Sequence, residues 1–141
     1  PEEVAPVNAE LQRVGMDNIF LVAPTTPTER IRQITSIASG FVYYVSLKGV
    51  TGAGHLDVAD VAHHLGLIRQ HSSLPVAVGF GIKDADSARA VASVADGVVV
   101  GSALVDAMAR VIEGGGGHEA AMAAAVALLA DIRRGIDHAA S

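Results

Sequence analysis

Four near-continuous apolar runs, with helical patterns filling the intervals between them, predict an α/β fold on a parallel sheet. Glycines at the ends of the last two runs narrow the prediction to the C-terminal half of a (β/α)8 TIM barrel, strands five to eight with their helices. The whole chain, 1–141, then reads as a single half-barrel domain.

The chain opens with an amphipathic segment, Glu2 to Val14, ended by Gly15, which reads as a helix. "IFLVA", Ile19 to Ala23, is the first strand; a strand buried on both faces is apolar without alternation. In "TPTE", Thr26 to Glu29 have the spacing of a capping box with Pro27 at the first helical position, so a helix is expected from Thr28 to Ala38 with Ile31, Ile34 and Ile37 on one stripe. "FVYYVS", Phe41 to Ser46, is the second strand. Tyr43 and Tyr44 are adjacent there and must point to opposite faces, so at most one of them belongs to a site.

The glycine-rich "SLKGVTGAG" then leads into a helix of about Leu56 to His71, whose stripe is Val58, Val61, Leu65 and Ile68. "PVAVGFG", Pro75 to Gly81, is the third strand, and Asp84 the expected cap of a helix with Ala88, Val91, Ala92 and Ala95 inward. Asp96 reads as a turn residue before "GVVVGSA", Gly97 to Ala103, the last run, which a short helix from Ala103 to Glu113 follows. Beyond "GGGG", Gly114 to Gly117, a long helix presents Ala125, Leu128, Leu129, Ile132 and Ile136 on one face.

An open doubly wound sheet would show the same alternation, and the glycines separate the two. A dinucleotide-binding sheet needs G-x-G-x-x-G in its first strand-helix turn, but that turn here is "APTTPTE", and "GFGIKD" at Gly79 to Asp84 lacks the third glycine. Barrels instead bind phosphate with the loops after strands seven and eight and the N-terminus of a short helix. The last two runs end in "GFGI" and "GSA", which makes the four runs strands five to eight of a barrel of roughly 250 residues.

Composition excludes several classes of function. A net charge of −5 without a basic cluster argues against nucleic acid, since phosphate binding needs grouped Lys and Arg. There is no cysteine for a disulfide or a Cys-based zinc site, and no apolar run approaches the length of a bilayer span. No signal pattern opens the chain at Pro1, so a soluble, cytoplasmic protein is expected, with no membrane partner. His55, His63, His64 and His71 look like a metal cluster by number, but His63 falls opposite the Val61 stripe and His64 on its flank, with no carboxylate at ligand spacing on the same face. They read as surface histidines, with no metal, and Lys48 reads as a solvated loop lysine.

Taken together, "PEE", "GFVYYVSLKGVTGAG", "PVAVGFGIKDADSA" and "GVVVGSALV", in this order and spacing, resemble the alpha subunit of tryptophan synthase. That resemblance implies a lyase of tryptophan biosynthesis, cleaving indole-3-glycerol phosphate to indole and glyceraldehyde 3-phosphate in a retro-aldol step. It also implies a beta-subunit partner, to which the pyridoxal phosphate belongs, the alpha barrel using no cofactor. The matched segments begin after the family's strand four, so the acid/base glutamate and aspartate of its strands one to four have no counterpart in this sequence.

By motif position, Thr51 would support the catalytic aspartate, while Gly52, Gly81, Gly101 and Ser102 would bind the substrate phosphate. Phe80 and Ile82 would flank the indole pocket, and Tyr43 would reach the substrate from strand six. The chain alone is then expected to be inactive, completed by an N-terminal half-barrel or by self-association. The competing reading is a non-catalytic half-barrel scaffold that pairs its sheet edges with itself or with another half-barrel.

Overall fold

The computed structural model describes residues 2–46, 57–79 and 81–139. A first helix, α1 (Ala5–Arg13), is followed by β1 (Phe20–Val22), α2 (Thr28–Ile37), β2 (Val42–Val45), α3 (Val58–Arg69), β3 (Val76–Gly79), α4 (Ala85–Ala92), β4 (Gly97–Val99), α5 (Ser102–Glu113) and α6 (His118–Asp137). The four strands form one sheet in the order β1-β2-β3-β4, all neighbours parallel. The alternation of strand and helix read from the sequence is therefore present, with strands shorter than the apolar runs that contain them.

Successive residues of a strand face opposite sides of the sheet, and the two sides here have different fates. Toward the helices point Val22, Val42, Tyr44, Val76 and Val78, each at most 1% exposed. They meet Ile31 and Ile34 of α2, Val61, Leu65 and Ile68 of α3, Ala88 and Val91 of α4, and Ile132 of α6 in one continuous core. Burying a side chain of this size contributes about 1.5–3 kcal/mol, so this single layer carries most of the fold's stability. The other side consists of the paired rows Leu21–Tyr43–Ala77–Gly97 and Val45–Gly79–Val99, and within it Leu21 is 61% and Val99 37% exposed. No helix among the described residues is long and apolar enough to cross a membrane.

Two helix starts, those of α3 and α4, are closed by aspartate caps. Asp84 caps α4 as expected: its Oδ1 accepts from the Ser87 N–H at 2.8 Å while the Asp84 N–H donates to Ser87 Oγ at 3.2 Å, a reciprocal pair. Asp57 caps α3 in the same sense, accepting from the Asp60 N–H at 3.0 Å. The capping box expected at Thr26 and Glu29 does not form. Pro27 occupies the cap position of α2, Thr26 Oγ1 accepts instead from the Ala23 N–H at 3.0 Å, and Glu29 pairs with Arg32. The hydroxyl closes the turn that leaves β1, accepting from the Ala23 N–H behind it and not from the helix it was expected to serve.

Three further expectations are corrected. Leu129 does not join the inward stripe of α6 but is 49% exposed, because that helix buries Ala121, Ile132 and Gly135. Asp96 does more than turn the chain: Oδ2 accepts from the Val76 N–H at 2.9 Å and from Arg69 at 3.0 Å, joining the start of β3 to the end of α3. His64 is not a surface histidine. Its side chain is 20% exposed, its ring stacks on Tyr44 with centroids 5.7 Å apart, and the Asp60 carboxylate, one turn earlier on the same face, lies 3.8 Å from Nδ1.

Two glycines inside helices have opposite environments, and the contrast can be measured. A Cβ at Gly135 would lie 2.4 Å from the Ala85 carbonyl oxygen where α6 crosses the start of α4, whereas a Cβ at Gly66 of α3 meets nothing within 4 Å. Gly66→Ala should raise stability by about 0.5–1 kcal/mol through helix propensity. Gly135→Ala should lower it by about 1–3 kcal/mol as the helices are forced apart, both read from chemical denaturation midpoints.

Asp96 also gives a pH dependence with a definite sign. The hydrogen bond from the Val76 N–H, then Arg69, holds its carboxyl below the usual aspartate value of 3.8. A group depressed on folding contributes stability that is complete above its unfolded value and lost as pH falls through its folded one. The acid limb of the stability profile should therefore drop below about pH 4, and Asp96→Asn should flatten it while lowering stability at neutral pH.

Candidate anion site at the C-terminal strand ends

All four strands run the same way, so their C-terminal ends gather at one edge of the sheet, as in barrels whose active sites lie there. At β2 this edge is closed by Ser46, 3% exposed, whose N–H donates to the Gly79 carbonyl at 3.1 Å and extends the ladder one step past the strand. Tyr43 and Tyr44 divide as adjacent strand residues must. Tyr44 is fully buried under α3, its hydroxyl without a hydrogen-bond partner among the described residues, and burial together with the nearby Asp60 charge pushes the phenol up to about 12. Tyr43 takes the opposite face and lies across Gly79 of β3: a Cβ on that glycine would fall 2.1 Å from the Tyr43 hydroxyl.

Gly79 is thus the seat of the Tyr43 ring, a role not read from the sequence. Its signal was a glycine within an apolar run, which often marks close approach of another group. Just beyond it, Gly81 is exposed with φ +78, a backbone that L side chains rarely adopt, and it turns the chain between β3 and α4. Ile82 then returns to the interior, 5% exposed in the common core.

From β4 the chain passes through Gly101 into α5, which begins at Ser102. Both residues are exposed, and among the described residues nothing lies within 4 Å of a Cβ built at Gly101 and no side chain caps the helix. The Leu104 and Val105 N–H groups turn back to the Gly101 carbonyl at 2.9 and 3.3 Å. No hydrogen bond between described residues uses the amides of Gly81, Gly101 or Ser102. The first turn of α5 contains no acidic residue, so the partial positive charge of this helix end is unopposed there.

The carboxylates near the same edge are engaged elsewhere. Asp57 and Asp84 are caps, Asp86 pairs with Arg89, and Asp60 lies beside His64. No cluster of three or more His, Asp or Glu able to hold a metal occurs among the described residues. An open pocket lined by Glu2, Glu3, Val4, Val7 and Arg30 lies beside α1 and includes none of the site residues. Chemically, this edge offers neutral hydrogen-bond donors, a helix N-terminus and one tyrosine ring, a set suited to holding an anion. Thr51, Gly52 and Phe80, with Lys48 and His55, lie outside the described residues.

The sequence profile described as "Tryptophan synthase alpha chain" matches residues 1–134. Among curated relatives, the tryptophan synthase alpha chain of Dechloromonas aromatica is 52% identical over 137 residues, which cover 97% of this chain and 49% of that one. That of Chromobacterium violaceum is 58% identical over 105 residues, 74% of this chain and 40% of the relative. Among solved structures, tryptophan synthase subunit alpha from Legionella pneumophila superposes with a TM-score of 0.82 at 36% identity, over 98% of this chain and 49% of that one. The chain spans about half the length of the relatives it matches.

The packing of Tyr43 on Gly79 can be tested apart from any ligand. Gly79→Ala should displace the Tyr43 ring rather than unfold the sheet, because the obstructing atom is the end of a side chain on the open face. Large shifts of the Tyr43 ring resonances with the Tyr44 resonances unmoved would be the expected NMR outcome.

Proposed function

The chain belongs to the tryptophan synthase alpha chain family, enzymes of tryptophan biosynthesis, and from that premise we propose that it forms the C-terminal half of the family's barrel, strands five to eight. In this reading it is the phosphate-binding half of a lyase that cleaves indole-3-glycerol phosphate to indole and glyceraldehyde 3-phosphate. The observation that supports it most is that Gly81 and Gly101–Ser102 follow the adjacent parallel strands β3 and β4, at the same sheet edge, with a helix start that has no side-chain cap and no acidic residue in its first turn.

The division of labour follows from what this edge contains. Backbone N–H groups of Gly81, Gly101 and Ser102, with the Ser102 hydroxyl and Gly52, would hold the substrate phosphate, and the helix dipole of α5 would favour its charge. Phosphate binding orients the substrate without moving a proton. Phe80 and Ile82 would flank the indole pocket, and Tyr43, lying over Gly79, would reach the substrate side from β2. The retro-aldol step needs a general acid and base, groups worth roughly 10²–10⁴ in rate, and these with Thr51 as support would act only beside the carboxylates of strands one to four. No cofactor is required of this half; indole would pass to a beta subunit, which holds the pyridoxal phosphate.

The purified chain alone should therefore give no indole from indole-3-glycerol phosphate, and activity should appear on mixing with an N-terminal half-barrel of a relative. Titration with inorganic phosphate should shift the amide resonances of Gly81, Gly101 and Ser102. Binding should be weak, since a few amide hydrogen bonds contribute about 1 kcal/mol each. Gly81→Val should abolish the shifts by filling the space, while Ser102→Ala should only reduce them. Turnover by the unmixed chain, or equal phosphate binding by the Gly81→Val variant, would sink the proposal.

A further inference from the structure

The turn that carries Gly81 is tied down beyond what a helix start requires. Gly81 lies between β3 and α4, exposed and at φ +78, with no side chain of its own to hold it. On one side of it β3 ends at Gly79, whose carbonyl accepts from the Ser46 N–H at 3.1 Å. On the other, Ile82 is 5% exposed in the common core, and Lys83 leads into the Asp84 cap of α4.

The Ser87 hydroxyl gathers this second side. It donates to Asp84 Oδ1 at 2.6 Å, with the Asp84 carbonyl oxygen a second acceptor at 3.0 Å, and it accepts from the N–H groups of Asp84 and Lys83, each at 3.2 Å. The donor and both acceptor positions of a hydroxyl are then engaged. A reciprocal cap needs only the Asp84 N–H on this oxygen and, in return, the Ser87 N–H on Asp84 Oδ1 at 2.8 Å. The bond from the Lys83 N–H is additional. It reaches outside the helix to a residue two positions from Gly81, and two residues of chain span no more than about 7 Å.

Resting on the anion-site reading above, we infer that Ser87 is a positioning residue of that site: by holding Lys83 and Asp84, its hydroxyl fixes the orientation in which the Gly81 amide meets an anion. A glycine adopts either sign of φ with similar ease, so a loose turn has to be ordered at each binding event, and that cost is set against only a few amide hydrogen bonds. With Ile82 packed in the core and Lys83 tied to Ser87, the ordering is completed when the chain folds.

Ser87→Ala removes the hydroxyl and leaves Asp84 Oδ1 to accept from the amide of residue 87. It should raise the Kd for inorganic phosphate about fivefold, the size of effect expected from losing a cap-strength hydrogen bond. In the phosphate-free chain, 15N relaxation should show faster and wider motion at Gly81, with Gly101, Ser102 and the circular dichroism unchanged. Ser87→Thr keeps the hydroxyl and should restore both the affinity and the order of Gly81. Asn8→Ala removes the bond from Nδ2 to the Ile37 carbonyl, 2.9 Å, on the far side of the sheet order; it should lower stability while leaving phosphate affinity and Gly81 motion as they were. A Ser87→Ala chain with the original Kd, a Gly81 no more mobile than before, or a Ser87→Thr chain that behaves like Ser87→Ala would each overturn the inference alone. A parent chain that binds no phosphate would overturn the anion-site reading and this inference with it.

Discussion

The two-residue period of a β-strand is the constraint from which the rest of this structure follows. Each strand sends alternate side chains to opposite faces, and helices cover only one of those faces. The dry side holds the valines, Tyr44 and the isoleucine stripes in one core. The other holds Leu21, Tyr43, Ala77, Gly79 and Val99, smaller or more exposed. One sheet thus has a side that stabilises and a side that is available, and the candidate anion site lies at the rim of the available side.

Much of this organisation was legible because it is local. Apolar runs interrupted by glycine, the stripes of α2, α3 and α4, and the Asp84 cap all depend on residues within a few positions of one another. What escaped reading depended on partners distant in sequence or on competition between near ones. Thr26 Oγ1 accepts from the Ala23 N–H three residues behind it and caps nothing ahead. Asp96 turned from a loop residue into a tie because the Val76 amide and Arg69 converge on it from twenty or more residues away. Gly79 could not be read as a seat for Tyr43 without the register that pairs Val45 with Gly79 and Tyr43 with Ala77.

The positions proposed for the site stand out for another reason. A glycine at φ +78 leaves a mark in the sequence, since L side chains rarely adopt that backbone, and Gly101 with Ser102 stands where an apolar run gives way to a helical pattern. Parallel order then brings the ends of β3 and β4 together without any further instruction. The site is assembled from main chain far more than from side chains, which suits the anion binding proposed for it.

The division of the two tyrosines has an optical consequence. The chain has no tryptophan, and Tyr43 and Tyr44 are its only tyrosines, so its intrinsic fluorescence comes from two neighbouring rings on opposite faces of one strand. Tyr44, sealed against His64, is shielded from a soluble quencher such as acrylamide, whereas Tyr43 emits from the face that a bound molecule or a second chain would cover. The quenchable fraction of the emission therefore reports occupancy of the open face, and the unquenchable fraction reports integrity of the core, in one cuvette and without a label.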